Sequence, residues 1–233
     1  MEIIVEIGQN HNGDMDLAAD MIRLVAEAGA DVAKFQVYDA KALFPKENNP
    51  WYDYNCSTEL SRDDVKSLAD TCATYDVEFM ASVFDPLRVD WLEELGVKRY
   101  KVASRSVKDE ELLAKLVATQ KPLLVSLGMW DGDSFPEIPG VSDVDYLYCV
   151  SEYPTPLEHL NLASCDFTTY AGFSDHSIGL TASMVALSRG ARIIEKHFTL
   201  DKDMYGPDHV GSMDLEELKQ LVKFREELRL CLK

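Results

Sequence analysis

GFSDHSIGLTASMVALSRGARIIEKHF, residues 172–198, decides how the rest of the chain is read. A short apolar run ends in His176, a helix-like segment follows, and a second apolar run ends in His197. Strand, helix, strand is the unit of a parallel α/β protein, in which the C-terminal ends of adjacent strands converge on one mouth. Histidines twenty-one positions apart could therefore meet around a metal ion. Asp175, Glu195 and Lys196 border them in sequence, which points to a chemical site. The alternative is a pair of hydrogen-bonded core histidines.

Outward from this stretch the same unit repeats. The apolar runs 3–8, 32–37, 78–83, 99–104, 122–128, 146–152, 170–176 and 191–198 number eight. Helical periodicity follows most of them, over 16–28, 62–75, 87–95, 109–118, 180–188 and 215–230. On 16–28, Leu17, Met21, Leu24, Val25 and Ala28 form one stripe that Gly29 ends. Eight repeats without a dinucleotide-type GxGxxG predict a single (β/α)8 TIM barrel domain over residues 1–233. Between the fifth and sixth strands, MWDGDSFPEIPGVSDVD carries two prolines, two glycines and no helical period, so that helix is expected to be reduced or missing. The segment 39–61 is long and irregular, as loops covering a catalytic face are.

Composition excludes several functions. With 41 acidic against 23 basic residues the formal charge is -18, which argues against nucleic acid and anionic membranes. No apolar run approaches the ~18 residues of a membrane span, and Met1 leads directly into a strand without a secretory signal. Five cysteines without CxxC spacing indicate neither a disulfide framework nor a zinc knuckle. A cytoplasmic enzyme is expected. Cys149, inside YLYCV, reads as a core residue rather than a nucleophile.

The strand ends carry the chemistry. Glu6 closes the first strand; Lys34 and Gln36 share a face of the second; Ser82 ends the third. Lys101 and Ser104 mark the fourth strand, Ser126 the fifth, Ser151 and Tyr153 the sixth, Ser174 and His176 the seventh, Glu195 and His197 the eighth. A lysine inside an apolar strand is costly unless paired. Two of them, among several hydroxyls, suit a ligand with phosphate and carboxylate groups. An ion pair with Glu6 or Glu195 is the purely structural alternative for either lysine.

The stretches EIGQNHNGD (6–14), KFQ (34–36), KVAS (101–104), SLGM (126–129), YPTP (153–156), GFSDHS (172–177), EKHFTLD (195–201) and GPDH (206–209) together resemble the sialic acid synthase family. Members condense phosphoenolpyruvate with an N-acetylated sugar aldehyde. The resemblance implies that Lys34, Ser82, Lys101, Ser104 and Ser174 hold phosphoenolpyruvate, with Ser126 beside them. It implies that His176 and His197 bind a divalent metal, manganese or magnesium, and that Gln36, Tyr153 and Asp208 face the sugar. Glu6 is expected near the reacting carbon, and Glu195 in acid-base or supporting duty beside His197. His11 and His209 are expected to be hydrogen-bonding loop residues.

Departures from the family pattern bear on the sugar. Arg105 and Ser106 stand where members commonly have Gly-Glu, and an arginine there would favour a negatively charged acceptor such as a sugar phosphate. Ser151 stands where some members have asparagine. Members usually carry a small C-terminal antifreeze-like domain that lends an arginine to a partner's sugar site. The barrel alone is expected here, with a homodimer implied by the family. The expected function is metal-dependent condensation of phosphoenolpyruvate with an aldose or its phosphate, giving a nonulosonic or related α-keto acid plus phosphate. A keto-acid aldolase or lyase on the same barrel is one alternative, and a noncatalytic sugar-binding barrel is another.

Overall fold

Eight parallel strands close into a barrel in chain order: β1 (Glu2–Gly8), β2 (Val32–Val37), β3 (Glu78–Val83), β4 (Tyr100–Val102), β5 (Leu123–Ser126), β6 (Val144–Cys149), β7 (Gly172–Asp175) and β8 (Ile193–His197). The structure is a computed structural model and describes residues 1–233. β8 returns to β1 with Ile4 opposite Glu195 and Glu6 opposite His197, which closes the TIM barrel expected from the repeats. The helices are α1 (Met15–Ala28), α2 (Ala40–Leu43), α3 (Tyr52–Ser57), α4 (Arg62–Thr74), α5 (Pro86–Glu94), α6 (Glu110–Ala118), α7 (Thr181–Ser188) and α8 (Leu215–Cys231). None is long and apolar enough to cross a membrane.

Short polar side chains start these helices by accepting hydrogen bonds from otherwise free amides. Asp14 caps α1, Asp109 caps α6, and Asp85 caps α5 ahead of Pro86. Ser61 with Asp64, and Asp214 with Glu217, form reciprocal capping boxes on α4 and α8. α1 stops at Gly29, where φ of 81° is one that a side chain would resist. The segment 39–61 is less irregular than its composition predicts, because α2 and α3 are built into it.

Two helices of the barrel are missing, not one. Residues 127–143 hold none, as expected. The β6–β7 connection has only two single 3₁₀ turns, at Leu157–His159 and Leu162–Ser164. Pro154, Pro156 and the left-handed Asn161 (φ 44°) interrupt any helical run there. Aromatic rings cover the exposed wall instead. Phe135 packs against Tyr146 and Tyr170 with centroids 4.8 and 4.7 Å apart, and the Tyr148 hydroxyl donates to the Leu160 carbonyl at 2.6 Å.

Alternation of side chains sorts each strand into an outer and an inner face. Outward residues such as Val5, Phe35, Val83, Val102, Val125, Phe173 and Ile194 join the large core under the helices. Inward ones form layers. Ile4, Val32, Met80, Leu124, Leu147 and Ile193, with Ala171, make an apolar floor. Two residues further along their strands stand Glu6, Lys34, Ser82, Ser126, Cys149 and Glu195, all buried. At the opposite, N-terminal end, Arg99 ties Glu2 to Glu78 and contributes stability rather than chemistry.

The turn after β1 fastens other loops to the barrel. Gln9 Nε2 donates to Asn55 Oδ1 and Thr58 Oγ1, both at 3.0 Å, and Asn10 Nδ2 donates to the Phe198 carbonyl at 2.8 Å. A Cβ on Gly13 would lie 2.3 Å from the Ser57 carbonyl oxygen, so glycine lets the two loops touch. His11 is fully buried, and its Nδ1 accepts from the Gly13 amide at 3.1 Å. His209 pairs with Thr199 at 2.7 Å and Asn12 at 3.2 Å. Both histidines are hydrogen-bonding loop residues.

Two stability measurements test this framework. A Cβ on Gly172 would sit 2.0 Å from the Ile193 carbonyl oxygen, inside the β7–β8 ladder. Gly172→Ala should destabilise the fold by about 3 kcal/mol, read as a lowered urea midpoint; an unchanged midpoint would contradict the packing. Burial pushes the His11 pKa down to about 4. The unfolded chain, with an ordinary value of about 6.5, binds the proton the folded one refuses. Stability should therefore be lost as pH falls from about 6.5 to 4, by roughly 3 kcal/mol. Urea titrations at several pH values should show a flatter profile for His11→Gln; parallel profiles would sink the assignment.

Candidate active site

The polar inner layer opens at the C-terminal ends of the strands into a narrow cleft with about 60 Å³ of enclosed space. Glu6, Lys34, Gln36, Ser82, Lys101 and Ser104 line one side of it. Ser126, Ser174, Glu195, Cys149 and Tyr153 line the other, and His176 and His197 stand at the rim. An adjoining recess places Asp208 beside His176, His197 and Tyr153. Strand register explains the convergence: Glu6 faces Lys34 and His197, Ser82 faces Lys101, and Ser174 faces Glu195.

A chain of four charges runs through the floor of the cleft. Lys34 Nζ lies 2.5 Å from Glu6 and 3.6 Å from Glu195, and Lys101 Nζ lies 3.6 Å from Glu195. Each ammonium also donates to a hydroxyl, Lys34 to Ser82 at 3.1 Å and Lys101 to Ser126 at 2.7 Å. Ser174 donates to Glu195 at 2.5 Å. The two lysines respond differently to one environment. Burial disfavours both ammoniums, but Lys34 stands between two carboxylates and its pKa rises, whereas Lys101 has Glu195 alone and feels Lys34, so burial prevails and its pKa falls. For Glu195 burial is outweighed by Lys101 and Lys34, which hold the carboxyl well below its usual value.

Gln36 Nε2 donates to Glu6 Oε1 at 2.9 Å. A Cβ on Gly8, where φ is 57°, would press on both groups at 3.3 Å. Ser104 Oγ accepts the Gly128 amide at 3.1 Å, and a Cβ on Gly128 would fall 2.4 Å from Ser151 Oγ. That hydroxyl is buried and has no hydrogen-bond partner, and Ser151 is not among the residues that line the cleft, contrary to the sequence expectation.

The two imidazoles are 5.9 Å apart between centroids. His176 Nδ1 is 2.9 Å from the Val150 carbonyl, so it carries the proton and leaves the Nε2 lone pair free. His197 Nδ1 is buried without a hydrogen-bond partner, 3.9 Å from Asp208 Oδ2. No cluster of three or more His, Cys, Asp or Glu side chains forms a closed cage. Two available imidazole nitrogens, one of them orphaned, fit a divalent cation that takes its remaining ligands from substrate and water. Tyr153 lies over His176 at 4.0 Å and is 55% exposed.

Two further sequence expectations change. Arg105 does not line the cleft: its guanidinium sits 5.3 Å from the centre of the Phe44 ring and donates to the Leu43 carbonyl at 3.3 Å. Its length lets it reach back to the loop after β2 rather than over the mouth. Cys149 belongs to the cleft rather than to the apolar core, with Sγ 3.5 Å from Ser104 Oγ and 3.8 Å from His176 Nδ1. Burial alone would raise its thiol pKa, but His176, Ser104 and Lys101 outweigh that and lower it. Its period-two relation to Leu147 of the floor was the signal in the sequence.

Similar proteins share this architecture. The chain is 37% identical over 249 residues to N,N'-diacetyllegionaminic acid synthase of Legionella pneumophila, covering 95% of this chain and 70% of that protein. It is 32% identical over 246 residues to human N-acetylneuraminate-9-phosphate synthase, covering 95% and 68%. The crystal structure of N-acetylneuraminic acid (sialic acid) synthetase from Leptospira borgpetersenii in complex with citrate superposes with a TM-score of 0.92 at 31% identity, over 99% of this chain and 84% of that one. Residues 21–233 match the model of the NeuB family. With that match and these relatives, the chain belongs to the NeuB family.

Proposed function

We propose that the barrel formed by residues 1–233 condenses phosphoenolpyruvate with an N-acetylated hexose-type aldehyde, giving a nonulosonic acid and phosphate. One observation carries the reading: two buried, serine-bonded ammonium groups share a mouth with two open imidazoles. The named activities of the Legionella and human relatives support it.

Lys34 and Lys101 supply charge for the phosphate and carboxylate of the enol phosphate, and Ser82, Ser104, Ser126 and Ser174 supply directional hydrogen bonds. A divalent cation between His176 and His197, manganese or magnesium, supplies Lewis-acid polarisation of the acceptor carbonyl when bound. Tyr153, Gln36 and Asp208 surround the acceptor and hold its aldehyde toward C3 of the enol. C3 attacks the aldehyde carbon, a new C–C bond forms as the carbonyl π pair moves onto the acceptor oxygen, and positive charge develops at C2. Water adds at C2, and the C2–O bond to phosphate breaks as the α-keto group forms. Glu6, which is ion-paired with Lys34 and held by Gln36, takes the proton from that water, and the acceptor oxygen takes up a proton to become the product hydroxyl. Glu195 keeps both lysines in register throughout. With Arg105 bound to the Phe44 loop, Lys34 and Lys101 are the lysine and arginine side chains that line the cleft, which favours an unphosphorylated sugar.

Two experiments test this. Incubation with phosphoenolpyruvate, Mn2+ and a panel of N-acetylated and di-N-acetylated aldoses, with and without phosphate, should release phosphate and an α-keto acid only when cation and acceptor are both present. No release across the panel would overturn the reading, and turnover with pyruvate in place of phosphoenolpyruvate would favour a lyase. Lys101→Met removes one partner of a buried charge network, so it should lower the melting temperature, and in the protein that still folds it should raise the KM for phosphoenolpyruvate about 100-fold. A KM within threefold of the parent would remove Lys101 from the anion site.

A further inference from the structure

Behind the two rim histidines, on the outer wall of the barrel, lies a second ionic pair. Asp175 and Lys196 are register partners on β7 and β8, 3.2 Å apart, with neither side chain exposed. Each directly precedes a histidine of the rim in sequence, and each points away from the cleft, into the layer between β7, β8 and α7. Every other ion pair outside the barrel interior has at least one partly exposed member. Apart from Ser177 and Ser183, which bind the pair, the side chains packed around it are largely apolar.

The pair grips the backbone that carries His176. Asp175 Oδ1 accepts the Ser177 amide at 2.8 Å and the Ser177 hydroxyl at 2.7 Å, and Oδ2 accepts the Ser183 hydroxyl of α7 at 2.5 Å. Lys196 Nζ, from the strand that carries His197, reaches across and donates to the Ser177 carbonyl at 2.5 Å. The residue after one histidine is thereby tied to the residue before the other. Burying a charge pair commonly brings no stability over apolar residues of similar volume. A stability role alone therefore leaves its position, between the two imidazole-bearing chain segments, unexplained.

We infer that Asp175 and Lys196 are positioning residues that set the separation of His176 and His197 and thereby the affinity for the divalent cation. The inference rests on the reading of those histidines as the cation's protein ligands. Outer contacts that orient metal ligands typically govern affinity by 10- to 100-fold.

The test uses the full chain, stripped of metal, and Mn2+ as the probe, with free Mn2+ read by electron paramagnetic resonance. Asp175→Asn combined with Lys196→Met removes both charges at nearly constant volume, so the fold should persist; Ser183→Ala removes only the strut from α7. The double variant should bind Mn2+ about 10- to 100-fold more weakly and Ser183→Ala about threefold more weakly. Phosphoenolpyruvate affinity measured in chelator should stay within twofold of the parent for both. Mn2+ affinity within twofold of the parent in a folded double variant overturns the inference. So does a parallel loss of phosphoenolpyruvate affinity, which marks general distortion. Should the double variant not fold, unchanged Mn2+ affinity in Ser183→Ala overturns it. A parent that binds no Mn2+ fails the histidine reading itself, and the inference falls with it; that result is distinct from a parent that binds and a variant that binds equally.

Discussion

The arrangement depends on how four charged side chains are kept inside a barrel that is otherwise dry. Lys34 and Lys101 cannot remain ionised there alone, and Glu6 and Glu195 cannot either, since an isolated buried ion costs several kcal/mol. Interleaved as Glu6, Lys34, Glu195 and Lys101, they balance two ammoniums against two carboxylates. The balance has a chemical cost for an incoming polyanion, because every lysine contact it makes competes with a carboxylate already in place. The rim imidazoles open onto the same cleft as the ammoniums, so a cation held there would act on the same electrostatic unit.

The barrel makes this unit possible by stacking. An apolar floor seals the interior from below, and the next inward residue of each strand is free to be polar. Hydroxyls from β3, β5 and β7 then fill the gaps between charges, so that three serines do the work water does elsewhere. Loops complete the mouth. The turn after β1, through Gln9, Asn10 and Gly13, fixes the segments after β2 and β8 against the barrel, and the aromatic contact of Trp51 with Tyr205 at 5.3 Å joins those same two segments.

Much of this was legible in the residues. Period-two apolar runs and period-3.6 helices determine the repeat, and Lys34, Lys101, His176 and His197 stood out because charges at strand ends need a reason. What was not legible follows from geometry that a linear pattern lacks. Cys149 was hidden because a thiol inside YLYCV looks like its apolar neighbours, and only the alternation with Leu147 turns it inward. Asp175 and Lys196 sit beside the histidines in sequence and on the opposite side of the wall in space. Arg105 occupies a rim position, yet a long flexible stem carried its charge to a different loop. The absent helix between β6 and β7 was foreshadowed by Pro154 and Pro156, but a wall can shed a helix only where other side chains cover it, and the rings of Tyr148, Tyr170 and Phe135 do so.

The two missing helices lie side by side, and β6 between them is only partly buried over Val144, Asp145 and Tyr146. Amide hydrogens along that arc are screened by rings and irregular chain, whereas those of β1 and β2 lie behind α1 and α4. Hydrogen exchange should therefore be slower in the half around β1 and β2 than in the fast half around β6. Glu6 and Lys34 ride on the slow half; Ser151 and Tyr153 ride on the fast one. A breathing motion confined to the fast arc would let a bulky product leave while the anion cradle keeps its shape for the next turnover.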